Sequence, residues 1–374
     1  MGGLAPKLVQ LLAQIVYIAL SIKNRWEQDL KKTLKFIKRA VSHSGIFLSL
    51  VTANVMANEA LMEVNALNYV RAKTATQFDK YLARAGGKLN MFAHGRQVVG
   101  VDARSSKRLN RDTLYSVAIV DISEGASIDL PDMGARYMSV QVVNQDGYTN
   151  NIFHSAGRHE LNLKEFHTPY VWLLVRTLVV DSVPGDLEAA QKLQDQISIV
   201  SASAKTYSHP QYDPVTLAAT TDLLAALGKD ISDNSKAAGT KEQVDPIKQL
   251  LLSAYGFGTL PETESLLLTV EPSLPSNKAY RLNVKDVPVD GFWSLAMYNK
   301  EGYFEQNSYN TYSFSDRNAE KNSDGSITLH FGGDPSSINY IPITEGWNYV
   351  VRMYRPRAEL LNGTWNFPHV TEIK

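Results

Sequence analysis

The chain predicts a mainly β fold of the α+β class, with helices ahead of a first β region and a helical connector before a second. Three observations carry this. Short β-branched and aromatic runs cluster at 91–200 and again at 263–374. Gly, Asp, Asn and Pro separate those runs. The segments 58–90 and 201–262 carry helical spacing and caps instead.

Taken in order, 58–90 places Leu61, Val64 and Asn68 at helical spacing, then Phe78, Tyr81 and Leu82 after Thr74, a candidate N-cap. Gly86 and Gly87 end that helix. The first β region holds 116–122 (SVAIVDI), 136–143 (RYMSVQVV) and 170–180 (YVWLLVRTLVV). The last run is nearly continuous in apolar residues, as a central strand covered on both faces requires. Asp186 is the expected cap of a helix over 186–196. Asp213-Pro214 and Asp245-Pro246 each pair a capping carboxylate with a proline at the first helical position. The polar stretch 228–239 between them reads as a linker. In the second β region, 292–299 (FWSLAMYN) alternates, 300–302 makes a turn, and Tyr303 starts the expected return strand. A hairpin turn at 322–325 precedes 326–331, and 346–354 (GWNYVVRMY) is the last strand. No internal repeat of solenoid length is present.

Hydrophobic residues make up 44% of the 374 residues, enough for sizeable cores and too many for disorder. The full chain is neutral, with 38 basic and 38 acidic residues. Residues 1–57 hold eight of the basic and two of the acidic ones, so the remainder stands at −6. That surface has no electrostatic footprint for nucleic acid. Cysteine is absent, which excludes disulfides, thiolate metal sites, cysteine nucleophiles and a lipidated N-terminal cysteine.

Lys31, Lys32, Lys35, Lys38 and Arg39 form a compact basic cluster, followed by an apolar run at 45–53 and then Val55-Met56-Ala57. This is the order of an export signal, with cleavage expected after Ala57. The signal peptide is placed at 30–57 and the mature chain in the periplasm or outside the cell, with no stable membrane span. Residues 1–29 fit no such scheme and are expected to be a mis-called start or an N-terminal anchor.

Several motifs then recur in a fixed order. The stretches 110–116 (NRDTLYS), 134–137 (GARY) and 146–150 (DGYTN) resemble the bacterial domain of unknown function 1254. The stretches 292–298 (FWSLAMY), 301–303 (EGY), 322–326 (NSDGS), 352–356 (RMYRP) and 362–365 (NGTW) resemble its usual partner, domain of unknown function 1214. The resemblance implies two antiparallel β-sandwich-like domains, at 91–200 and 263–374, frequent export, and no established reaction. The partner's tryptophan-containing NWLP segment reads NYIP here at 339–342, which points to packing.

Candidate chemistry lies at strand ends. Asn110, Asp112 and Thr113 precede a strand; Asp146, Tyr148, Thr149 and Asn150 follow one. If those strands were neighbours, Asp112 and Asp146 could share one sheet end as an acid/base pair. Satisfied turns explain the same residues equally well. Arg352 alternates with Val351 and Met353 and could grip a carboxylate or pair across a domain interface. His154 and His159, with Glu160 next and His167 near, are weak metal candidates without helical ligand spacing. No nucleophile elbow, Walker A or dinucleotide fingerprint occurs, and the 256–258 glycines read as a helix cap.

The leading reading is an exported protein that needs no cofactor and binds a small-molecule or polymeric ligand in a cleft between two β domains. The candidate ligand-binding residues are Asn110, Asp112, Thr113, Asp146, Tyr148 and Arg352. The alternatives are a metal-independent hydrolase or lyase using Asp112 or Asp146, and a structural or assembly module, with a homo-oligomer admitted by either.

Overall fold

The computed structural model describes residues 61–231 and 233–374. The expected leader at 30–57 and the segment 1–29 lie outside the described residues. Among the described residues no helix is long and apolar enough to cross a membrane.

The first β region folds as a two-sheet sandwich. Strands β1 (Ala93–His94), β2 (Thr113–Asp121), β4 (Met138–Asn144), β5 (Thr149–Phe153) and β7 (Tyr170–Leu178) form a five-stranded antiparallel sheet in the order β1-β2-β7-β4-β5. Strands β3 (Ala126–Leu130), β6 (Gly157–Leu161) and β8 (Ser198–Ser201) form a three-stranded sheet in the order β6-β3-β8. Side chains alternate along each strand, so Val120, Val140, Leu173 and Val175 point inward and meet Ile128, Leu130 and Leu161. The residues in between face the other way.

That outer face explains the unbroken apolar run of β7. The helix α1 (Tyr69–Arg84) and the loop 256–259 cover it. Trp172 on β7 stacks on Tyr81 of α1, with ring centroids 4.8 Å apart, and on Phe257 at 5.0 Å. Gly258 lies so close that a Cβ there would sit 2.7 Å from the Trp172 ring, and its φ is +82°.

The second β region is also a sandwich. One sheet runs β14 (Tyr340–Ile341), β13 (Ile327–Phe331), β10 (Tyr280–Val284), β16 (Thr371–Glu372); the other runs β12 (Ser313–Ser315), β11 (Trp293–Tyr298), β15 (Asn348–Tyr354), β9 (Ser265–Val270). All pairs are antiparallel except β13 with β14. Leu282, Leu329, Phe331 and Ile341 pack against Leu295, Tyr349, Val351 and Met353. Ile341 of the NYIP segment is therefore core, as packing required. On β11 and β15 the alternate residues Ser294, Tyr298, Arg352 and Tyr354 turn toward the first sandwich.

The remaining helices are α2 (Leu163–Phe166), α3 (Asp186–Gln194), α4 (Pro214–Gly228), α5 (Pro246–Leu252) and α6 (Ala358–Leu361). Asp213 caps α4 through the Val215 and Thr216 N–H groups, and Asp245 caps α5 through those of Ile247 and Lys248. Other expectations shift. Helix α1 starts at Tyr69 because Asn65 and Asn68 satisfy nearby N–H groups in a turn first. Thr74 lies inside it and donates to the Val70 carbonyl at 2.7 Å. Gly185 occupies the cap position of α3, while Asp186 accepts from Arg136 and from the Val180 N–H. Tyr303 starts no strand. The Asn299 and Asn307 side chains hold successive turns, and the return strand is β12 ten residues later.

Candidate functional site

Asp112 sits immediately before β2, 8% exposed, where the two sandwiches meet. Its Oδ2 accepts a hydrogen bond from Ser294 Oγ at 2.6 Å and a longer one from Tyr354 OH at 3.3 Å. Asn110 donates from Nδ2 to the hydroxyls of Tyr354 at 2.8 Å and Tyr115 at 3.2 Å. Its Oδ1 accepts the Asp112 backbone N–H at 2.8 Å, which ties the Asn110 side chain to the backbone at Asp112. Arg352, 5% exposed on β15, donates from Nη2 to the Arg108 carbonyl at 2.7 Å and to Tyr298 OH at 3.0 Å. Tyr298 in turn donates to the Leu109 carbonyl at 2.7 Å.

Electrostatics follow from this burial. Burial pushes the Asp112 carboxyl up, and the Arg352 charge with the Ser294 and Tyr354 hydroxyls offsets part of that rise. Burial works against the Arg352 charge, but the Tyr298 hydroxyl and Asp112 together hold its pKa above the usual guanidinium value. Burial also raises Tyr298 and Tyr354, which keeps both as donors. Among the described residues, Asp112 and Arg352 form no ion pair within 4 Å, and Arg352 Nη1 has no partner. The void beside Asp112 is about 20 Å³, room for a water and no substrate. This cluster is a buried polar latch between the sandwiches.

Asp146 belongs elsewhere. Strand β7 lies between β2 and β4 and pairs antiparallel with both, so β2 and β4 run parallel. Asp112 precedes β2 and Asp146 follows β4, which places them at opposite ends of the sheet, and the shared sheet end expected for them is thereby corrected. Asp146 pairs at 2.6 Å with Arg71 of α1, its side chain 48% exposed. Tyr148 is half-buried in the same turn, and burial, with Asp146 and Glu242 nearby, raises its hydroxyl pKa. Thr113 is buried, with no partner for its Oγ1. His154 uses both ring nitrogens, on Glu264 at 2.6 Å and on the Met138 carbonyl at 3.2 Å. His159 bonds the Ser155 carbonyl and stacks on Phe153. Among the described residues no three His, Asp or Glu side chains converge as metal ligands.

A cleft of about 560 Å³ opens over the outer face of the five-stranded sheet. Tyr115, Val117, Leu174 and Arg176 form its floor. Helix α1 supplies one wall with Lys73, Gln77, Lys80, Tyr81 and Arg84. Val99, Ser105, Ser106, Leu109 and Asn110 form the other wall, and 254–259 closes one side. Among the described residues, four cations line it and no carboxylate does. None of the four pairs with an acid within 4 Å among the described residues. Arg176, 6% exposed, lies over the Tyr115 ring at 5.9 Å, held by Gln141 Oε1 at 2.9 Å and the Gly258 carbonyl at 2.5 Å. Arg84 and Lys80 lie 5.4 and 6.0 Å from the Tyr81 ring. Burial and the nearby Lys80 both lower the Lys73 pKa.

Of the candidate ligand-binding residues named from the sequence, Asn110 alone lines this cleft. The signal for Arg176 was a lone arginine inside an apolar strand. The 256–258 glycines do not cap α5, which ends at Leu252; they strap the sheet and line the cleft.

Comparison with known proteins agrees with this architecture. Residues 89–165 match the family described as Protein of unknown function (DUF1254), and residues 270–358 match Protein of unknown function (DUF1214). No match was found among curated proteins. The crystal structure of the VPA0106 protein from Vibrio parahaemolyticus is similar at 17% identity and a TM-score of 0.64, over 83% of this chain and 98% of that one. An uncharacterised protein from Burkholderia cenocepacia aligns at 14% identity and a TM-score of 0.47, over 82% and 88%. The first of these shares the mainly β fold, and the chain carries the two domains of unknown function DUF1254 and DUF1214, in that order.

Proposed function

We propose that the chain binds an anionic ligand in the cleft between α1 and the outer face of the five-stranded sheet. The observation that carries this is the lining: Lys73, Lys80, Arg84 and Arg176 around about 560 Å³, with no acidic residue among them. Like charges so gathered repel one another, and a bound anion relieves that repulsion. The volume suits a drug-sized or oligomeric ligand. Tyr115 and Phe257 add apolar surface, and Gln77 adds a directional amide.

The cleft lies on the first sandwich and its Ser105–Asn110 wall touches the second, but none of its lining comes from 263–374, so this site differs from the cleft between two β domains expected from the sequence. Asp112 holds that wall and contacts no ligand. Export to the periplasm or beyond belongs to the same proposal, and a mature chain starting at Asn58 by mass spectrometry supports it.

Thermal-shift and calorimetric titration with citrate, tripolyphosphate and oligogalacturonate, at low and high salt, tests the binding. Binding that weakens with salt and is lost in Lys80→Glu/Arg84→Glu supports the proposal. No response to any anion, or full binding by the charge-reversed variant, overturns it.

A further inference from the structure

Resting on that cleft reading, we infer that the ligand is an acidic oligosaccharide about three rings long, lying along α1. Lys73, Gln77, Lys80 and Arg84 recur at intervals of three and four residues, so they share one face of α1. From Lys73 to Arg84 that face runs about 16 Å at 1.5 Å per residue. A compact single anion engages one end of such a row. A ligand that uses all of it carries negative charges repeated along its length, and about three pyranose rings cover the distance.

The neutral lining selects among polyanions. Gln77, Ser105, Ser106 and Thr259 interleave with the cations and offer hydroxyl and amide hydrogen bonds. Ring hydroxyls answer such groups, whereas a bare polyphosphate has no hydroxyl to offer. Phosphate sites also favour helix N-termini, and α1 instead presents its flank and its last turn, where the helix dipole is negative. Cations on long side chains at that end suit well-spaced carboxylates. Tyr115 and Phe257 supply flat apolar surface for the ring faces of a sugar. Arg176, locked by Gln141 and Gly258, places one fixed charge at the floor, while Lys73, Lys80 and Arg84 read the remaining carboxylates.

Calorimetric titration with galacturonate oligomers of one to six units tests this, with maltohexaose, tripolyphosphate and hexaglutamate as comparison probes. Affinity should climb at least tenfold from one unit to about three and then level off, with maltohexaose silent. Arg84→Ala should weaken the trimer about fivefold or more and leave the monomer within twofold. Tighter binding of tripolyphosphate or hexaglutamate than of trigalacturonate overturns the sugar assignment and leaves the anion cleft standing. A flat length series also overturns it. Silence from every anion sinks the cleft reading itself.

Discussion

Replacing Arg352 by Met tests whether the buried latch is held by charge. Arg352 donates to the Arg108 carbonyl and to Tyr298 OH, and its charge faces Asp112 across the sandwich boundary. Losing those two charge-assisted bonds costs about 1.5–3 kcal/mol each, offset by no longer burying a guanidinium whose Nη1 lacks a partner. The larger consequence falls on Asp112. Without Arg352 its buried carboxylate stands uncompensated and takes a proton. From an ordinary pKa of 3.8, protonation at pH 7 costs about 4 kcal/mol, and at pH 5 about 1.6 kcal/mol, at about 1.4 kcal/mol per unit. Raising the folded-state pKa gives stability that is present below the unfolded value and lost as pH rises. Burial already raises Asp112 in the native protein, so these figures are upper limits on what the variant adds: its deficit grows with pH, to at most about 4 kcal/mol from this source at pH 7. Adding Asp112→Asn removes the need for a proton, recovers most of the pH 7 loss and flattens the pH dependence. Urea unfolding followed by tryptophan fluorescence at both pH values measures each term of this cycle. A deficit below about 1 kcal/mol at pH 7, equal deficits at both pH values, or no rescue by Asp112→Asn refutes the reasoning.

Gly258→Ala should lower stability by about 1–3 kcal/mol, because a Cβ would lie 2.7 Å from Trp172 and 3.0 Å from Leu174 at a φ of +82°; an unchanged Tm contradicts the packing described. Asp121, at the end of β2, is buried, yet hydrogen bonds from Ser203 Oγ and from the Ser123 and Lys205 N–H groups hold its carboxyl below the ordinary value. A depressed folded-state pKa gives stability present above the unfolded value and lost as pH falls through the folded one, so Asp121→Asn should cost about 1–3 kcal/mol at neutral pH and far less in acid. Equal costs at both pH values, from urea unfolding, would count against that network.

What could be read in the chain was what is local. The Asp213-Pro214 and Asp245-Pro246 caps depend on residues within one turn, and both form as read. The β7 run needs cover on both faces, and it has it. Asn110 and Asp112 stood out by residue type at a strand end and Arg352 as an arginine inside a strand, and the three come together at the sandwich boundary. Asp146 misled because its distance from Asp112 depends on strand order, which no local pattern encodes. The cleft was hidden for the same reason. Lys73, Lys80 and Arg84 look like any solvated helix face until the strand they lie over is known.

The two sandwiches meet at the cleft wall. The wall Ser105–Asn110 belongs to the first domain, but the second holds it. Arg352 fixes the Arg108 carbonyl, Tyr298 the Leu109 carbonyl and Tyr354 the Asn110 side chain. Asn348 accepts from Arg108 Nε at 3.1 Å, and the Gly302 carbonyl accepts the Arg108 N–H at 2.7 Å. Leu109 and Val101 pack on Tyr298, Phe304 and Tyr312. A ligand in the cleft thus meets a wall preorganised by residues it never touches. Tyr298→Phe deletes one hydroxyl, leaves the Leu109 carbonyl unpaired in a buried place, and costs about 1–3 kcal/mol of local order. Amide exchange should then speed up across 99–110, and affinity for the anionic ligand should fall severalfold while β7 stays protected. Faster exchange in that wall with unchanged affinity would separate the two, and the second sandwich would then not be what shapes the cleft.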